Sequence, residues 1–145
     1  MTSAEAELVD RLRERASPLI SLVAEEDGSI IGHILFSPVT ISDHPMLKLM
    51  GLAPMAVMPE HQRQGVGSAL VRAGLEQCRR LDVGAVVVLG HPGFYPRFGF
   101  VAAAQSGITC EYDVPAEAFM VMELEPGYLD GVSGMVKYHS AFARL

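Results

Sequence analysis

Apolar positions along the chain recur with two periods. Leu70, Val71, Gly74, Leu75, Cys78 and Leu81 fall on one helical face, with Arg72, Glu76, Arg79 and Arg80 on the other, which predicts an amphipathic helix from Gly65 to Leu81. A shorter helix is predicted from Ala4 to Arg15, with Leu8 and Leu12 on one face, and Ser17-Pro18 closes it because the residue before a proline avoids the helical region. Leu19 to Ala24 and Ile30 to Ile41 read as strands joined by the turn Glu26-Asp27-Gly28-Ser29, the second of them interrupted by Pro38. A third strand covers Leu47 to Val57 and contains Pro54, which cannot donate to a ladder and so marks an edge or a bulge. A bulge there splays the strand from its neighbour and leaves backbone groups free for another partner. Val83 to Leu89 is a continuous apolar, β-branched run, as expected of a strand buried on both faces and parallel to the one before the helix. A short aromatic segment from Pro92 to Phe98 follows, then strands starting at Gly99-Phe100-Val101 and spanning Phe119 to Leu124, with a further segment at Val132 to His139. With the aromatic segment taken as a short helix, this order of elements is that of an α/β domain with a mixed sheet, and no repeat or linker divides residues 1–145.

Composition narrows the class. Half of the 145 residues are hydrophobic and 19% are charged, which suits one domain with a substantial core and excludes a disordered chain. No apolar run reaches the length of a membrane span, and Met1-Thr2-Ser3-Ala4-Glu5 is polar and acidic where a signal peptide is basic and then apolar. Cys78 and Cys110 have no metal-ligand spacing, so no metal is expected and a reduced, cytoplasmic protein is the expectation. The net charge of −6 argues against non-specific nucleic-acid binding but leaves room for a phosphate-bearing cofactor held by backbone donors.

Candidate chemistry centres on Gln62-Arg63-Gln64-Gly65-Val66-Gly67-Ser68-Ala69, between the third strand and the helix. Glycines at such a turn let backbone N–H groups converge without obstruction, and the helix N-terminus adds unpaired donors, which together make a diphosphate cradle. An NTPase loop fails for want of a lysine before Ser68, and a dinucleotide fingerprint fails because Leu70 stands where its third glycine belongs.

The stretch Gln62-Arg63-Gln64-Gly65-Val66-Gly67 resembles the Gln/Arg-x-x-Gly-x-Gly/Ala loop of the GNAT family of N-acetyltransferases. Leu52-Ala53-Pro54-Met55-Ala56-Val57 before it reinforces the likeness. So does Gly90-His91-Pro92-Gly93-Phe94-Tyr95-Pro96-Arg97-Phe98-Gly99-Phe100, which is similar to the family's Tyr-x-x-Phe-Gly-Phe segment. The likeness runs from about Leu19 to Phe142 and points to the YhbS-like branch. It implies a mixed central sheet with splayed strands and flanking helices, and acetyl-CoA as acyl donor. It also implies direct transfer to an amine acceptor, small molecule or peptide, in a monomer or homodimer. Relative to the family pattern, the strand and helix that precede the first predicted helix are expected to be absent. A CoA-binding module without transferase activity is the alternative reading.

Residue roles follow from the resemblance. Gln62, Arg63, Gln64, Gly65, Val66, Gly67, Ser68 and Ala69 are expected to hold the coenzyme's pyrophosphate, mainly by backbone N–H groups. Met55, Ala56 and Val57 are expected along the pantetheine arm, with a backbone N–H near Val57 polarising the thioester carbonyl. Tyr95 is the expected proton donor to the departing thiolate. Among the candidate bases Glu60, His61, His91 and Glu111, the first choice is His91, which directly follows the buried strand.

Overall fold

The computed structural model describes residues 19–138, so the helix expected from Ala4 to Arg15 lies outside the described residues. Strand β1 (Ile20–Glu26) turns into β2 (Ser29–Ile41) through Asp27 and Gly28, both at positive φ, which matches the right-handed twist of a two-residue hairpin. β2 runs unbroken through Pro38, contrary to the interruption expected there. The physical reason lies at the edge of β2: β1 pairs with it only as far as Phe36 and β8 (Gly134–Lys137) only from Thr40, so the proline falls between two neighbours.

β3 (Leu49–Val57) lies antiparallel to β2, and β4 (Ala85–Leu89) lies parallel to β3. β7 (Phe119–Glu123) and the two-residue β5 (Val101–Ala102) extend the sheet beyond β4. β6 (Ile108–Cys110) pairs with β8 and completes eight strands among the described residues. The sheet runs β5-β7-β4-β3-β2-β8-β6, with β1 also on β2. β6 has no counterpart among the predicted strands, and the aromatic segment expected to be α-helical is a 3-10 turn, Tyr95–Phe98, which Gly99 closes at φ 109°. A mixed sheet with splayed strands is the architecture that the sequence led us to expect.

The helix α1 (Val66–Arg80) lies across one face of this sheet. Its buried face, Leu70, Val71, Gly74, Leu75 and Cys78, packs on Ile34, Phe36, Met50, Leu52, Val86 and Val88, the residues that strand alternation turns to that side. Gly74 fixes how close the helix comes: a Cβ there would stand 2.0 Å from Phe36 Cε1. The opposite face carries a second cluster, including Val39, Ile41, Leu49, Val87, Ile108, Phe119 and Val136. Cores on both faces explain why β4 reads as an uninterrupted apolar run.

Candidate active-site cleft

The two central strands part company halfway along β3. Leu49 to Leu52 pair with Ala85 to Val88 of β4, and no β4 partner stands beside Ala53 to Val57. The β2–β3 register slips at this point, so that Leu35 alone spans Ala53 and Pro54, the bulge that Pro54 predicted. β4 meanwhile continues with β7, pairing Leu89 with Phe119. The V between the diverging strands is an open cleft of about 1500 Å³, floored by Leu52, Ala53 and Leu89 and flanked by Met55, Ala56 and Val57.

Backbone polarity along the free half of β3 follows from strand geometry. Met58 gives its N–H to Ile31 across the β2 ladder at 2.8 Å. Alternation then turns the N–H groups of Val57 and Met55 to the other side, the one that β4 has vacated. On that side the Val57 carbonyl accepts a hydrogen bond from Gln62 Nε2 at 3.0 Å, which fastens the start of the glycine loop to the end of the strand.

The loop enters α1 with Arg63 at φ 65° and Gly65, the N-cap, at φ 85°, and no side chain caps the helix. The first-turn N–H groups of Val66, Gly67 and Ser68 therefore lack the partner that an Asp or Ser cap would supply, at the positive end of the helix dipole. Ala69 closes the first intrahelical bond to Gly65 at 3.0 Å. Gly67 is the point where three segments meet. A Cβ there would lie 3.7 Å from Met55 Cε, 3.8 Å from Val57 Cγ2 and 3.8 Å from Phe94 Cζ. These are ordinary contacts, so the fold itself tolerates a small side chain at Gly67. His61 Nδ1 lies 3.1 Å from Glu26 Oε2, a contact that ties the approach to this loop to the β1–β2 hairpin.

The far wall is the aromatic turn after β4. Tyr95 is 7% exposed and its ring is held edge-on by Phe94 at 5.0 Å and Phe100 at 5.7 Å. Burial raises the pKa of its phenol above the ordinary 10, which keeps the proton on the oxygen through the neutral range. The carbonyl of His91 accepts the N–H groups of Phe94 and Tyr95, so His91 shapes the turn with its backbone while its side chain stays exposed at the cleft. Arg97 also lines the cleft, its guanidinium 4.7 Å over the Phe94 ring and bonded to the Phe94 and Gly93 carbonyls.

Of the residues singled out from sequence, the cleft gathers Met55, Ala56, Val57, Gln62, Arg63, Gly65, Gly67, Ser68, His91 and Tyr95. Gln64, Val66 and Ala69 do not line it: Gln64 reaches back to the Glu60 carbonyl at 3.4 Å, and Val66 packs inward on the core. Among the candidate bases only His91 lines the cleft. His61 is engaged with Glu26, and Glu111 accepts the Tyr138 N–H at 2.8 Å. Phe94 and Arg97 were not assigned roles from sequence. Both lie inside the quoted aromatic segment, but the approach of Phe94 to Gly67 and the place of Arg97 in the cleft lining are tertiary facts with no sequence signal. The charged lining is Arg63 and Arg97, with no carboxylate among the described residues. Positive side chains and uncapped backbone donors make a site for an anionic ligand, although the chain as a whole carries a net charge of −6.

Cys78 is not part of this chemistry. It lies on the buried face of α1 with its Sγ 3.9 Å from Met50 Sδ, and burial pushes its thiol up to about 12. No helix among the described residues is long and apolar enough to cross a membrane.

Comparison with known proteins agrees with this geometry. Residues 18–102 match the family model described as an acetyltransferase (GNAT) domain. The chain is 40% identical over 144 residues to the uncharacterized N-acetyltransferase YhbS of Escherichia coli K12, covering 99% of this chain and 86% of that protein. The crystal structure of the Escherichia coli YhbS protein in complex with CoA superposes with a TM-score of 0.90 at 40% identity, over 98% of this chain and 79% of that one. A GNAT family acetyltransferase from Brucella melitensis, in complex with acetyl-CoA, gives a TM-score of 0.77 at 39% identity over 98% of this chain and 80% of that one.

Proposed function

The chain belongs to the GNAT family of acetyltransferases, and from that premise we propose that it transfers the acetyl group of acetyl-CoA directly to an amine within a ternary complex. The observation that carries this reading is the parting of β3 and β4 beside an uncapped, glycine-opened helix. Backbone donors for a thioester and for a diphosphate thus border one cleft. Relatives that share the fold at close to 40% identity were crystallised with CoA and with acetyl-CoA.

In this reading the diphosphate lies on the unpartnered N–H groups of the first helical turn, Val66, Gly67 and Ser68, with Arg63 and Arg97 balancing its charge. The pantetheine arm pairs with the free edge of Met55 to Val57 as an added strand would. The Val57 N–H donates to the thioester carbonyl and stabilises the oxyanion as the amine nitrogen bonds to the carbonyl carbon. Collapse breaks the carbon–sulfur bond, and the thiolate takes the phenolic proton of Tyr95. The attacking nitrogen loses its proton to His91, which passes it to solvent, and solvent returns a proton to Tyr95. The products are an N-acetyl amide and CoA, and most of the acceleration comes from positioning and carbonyl polarisation.

Calorimetric titration with acetyl-CoA, with NAD as control, tests the donor site: one saturable site for acetyl-CoA alone is expected. Thiol release across a panel of polyamines, aminoglycosides and peptides then tests transfer. On an accepted substrate, Tyr95→Phe should lower kcat about 100-fold or more. Binding without thiol release for any acceptor would favour the non-catalytic module instead.

A further inference from the structure

We propose that Gly90 is a positioning residue: its bare Cα is the seat that holds the Tyr95 ring at the edge of the cleft. Gly90 is the first residue beyond β4, anchored by its N–H to the Ala118 carbonyl at 3.0 Å. A Cβ at this position would stand 2.2 Å from Tyr95 Cε2, 2.9 Å from Cδ2 and 3.3 Å from Cζ. The ring cannot slide away from such a collision. Phe94 and Phe100 both pack edge-on against it, and Phe100 is itself 1% exposed. The Tyr95 backbone is fixed as well, at the start of the 3-10 turn, with its N–H on the His91 carbonyl. The remaining freedom is rotation about the side-chain torsions, which swings the phenol out of place.

The backbone at Gly90 is not in the left-handed region, so alanine is conformationally allowed there and any effect is that of the methyl group alone. Gly93, three residues on, supplies the contrast: nothing lies within 4 Å of its Cβ direction. The glycine at position 90 is thus matched to one particular ring. The catalytic half of this inference rests on Tyr95 as the proton donor; the packing half does not.

The deciding experiment is fluorine NMR of the full chain labelled with fluorotyrosine, the Tyr95 resonance being identified by its loss in Tyr95→Phe. Gly90→Ala should move that resonance toward its solvent-exposed position, and Gly93→Ala should leave it unmoved. A Tyr95 resonance unchanged by Gly90→Ala overturns the proposal. On an accepted amine, Gly90→Ala should lower kcat about 100-fold, as expected of a misplaced catalytic group. It should cost no further factor when added to Tyr95→Phe. An equal loss in both backgrounds would overturn the route through Tyr95. Full turnover by Tyr95→Phe, with the resonance still displaced in Gly90→Ala, removes the proton-donor reading and upholds the seat. Should Gly90→Ala fail to fold, thermal melts decide. Tyr95→Leu should restore a cooperative melt to the Gly90→Ala chain, and a double variant that still fails to fold, where Tyr95→Leu alone folds, contradicts the seat.

Discussion

The two halves of β3 are alike in sequence character and opposite in use. Leu49 to Leu52 lie between two paired neighbours, almost wholly removed from water, with Met50 and Leu52 under the helix. Ala53 to Val57 have β2 on one side and open cleft on the other, and all five are half-buried. A single bulge at Ala53–Pro54 separates them. The difference teaches that a ligand site can be made by ending a ladder early rather than by adding special side chains. The closed half supplies rigidity, and the open half presents the backbone donors that a ladder would have consumed.

That contrast can be broken from either end. Met50→Ala, in the closed half, should remove about 2–5 kcal/mol of stability, readable as a lowered denaturant midpoint. Gly67→Asp, facing the open half, should weaken acetyl-CoA binding about 100-fold, or about 2.7 kcal/mol, through charge repulsion with the diphosphate. The surroundings of Gly67 leave room for a Cβ, so its Tm should stay near that of the unsubstituted protein.

Alkaline titration probes the closed half through Cys78, whose thiol is raised from 9.0 to about 12. The unfolded chain releases this proton above pH 9 and the folded chain holds it to about 12. Stability from this group is complete below pH 9 and is lost as pH rises toward 12. Cys78→Ala should flatten that decline in denaturation curves measured across the range. The smallest effect is expected from Gln62→Ala, which removes the hydrogen bond to the Val57 carbonyl. It should cost about 1 kcal/mol or less in stability and should loosen the strand end, seen as faster amide exchange there.

Much of this arrangement was legible in the sequence because it rests on local chemistry. The helix from Gly65, the buried β4 run and the bulge at Pro54 each carry a periodicity or a proline signal that needs no tertiary information. The glycines of the loop marked the turn for the same reason. What was not legible depends on distant residues. β6 is a three-residue strand that exists because β8 pairs with it, and Pro38 is accommodated because two neighbours stop short of it. The meeting of Gly67 with Phe94, and of Gly90 with Tyr95, is packing across elements, which no spacing in the chain encodes.

The most direct test of the account is hydrogen exchange measured with and without saturating acetyl-CoA. The unequal use of β3 predicts ligand-induced protection in peptides covering residues 53–57 and 65–69, with no change at 49–52. Protection confined elsewhere, or equal along the whole strand, would contradict the claim that the open half and the glycine turn form the coenzyme site.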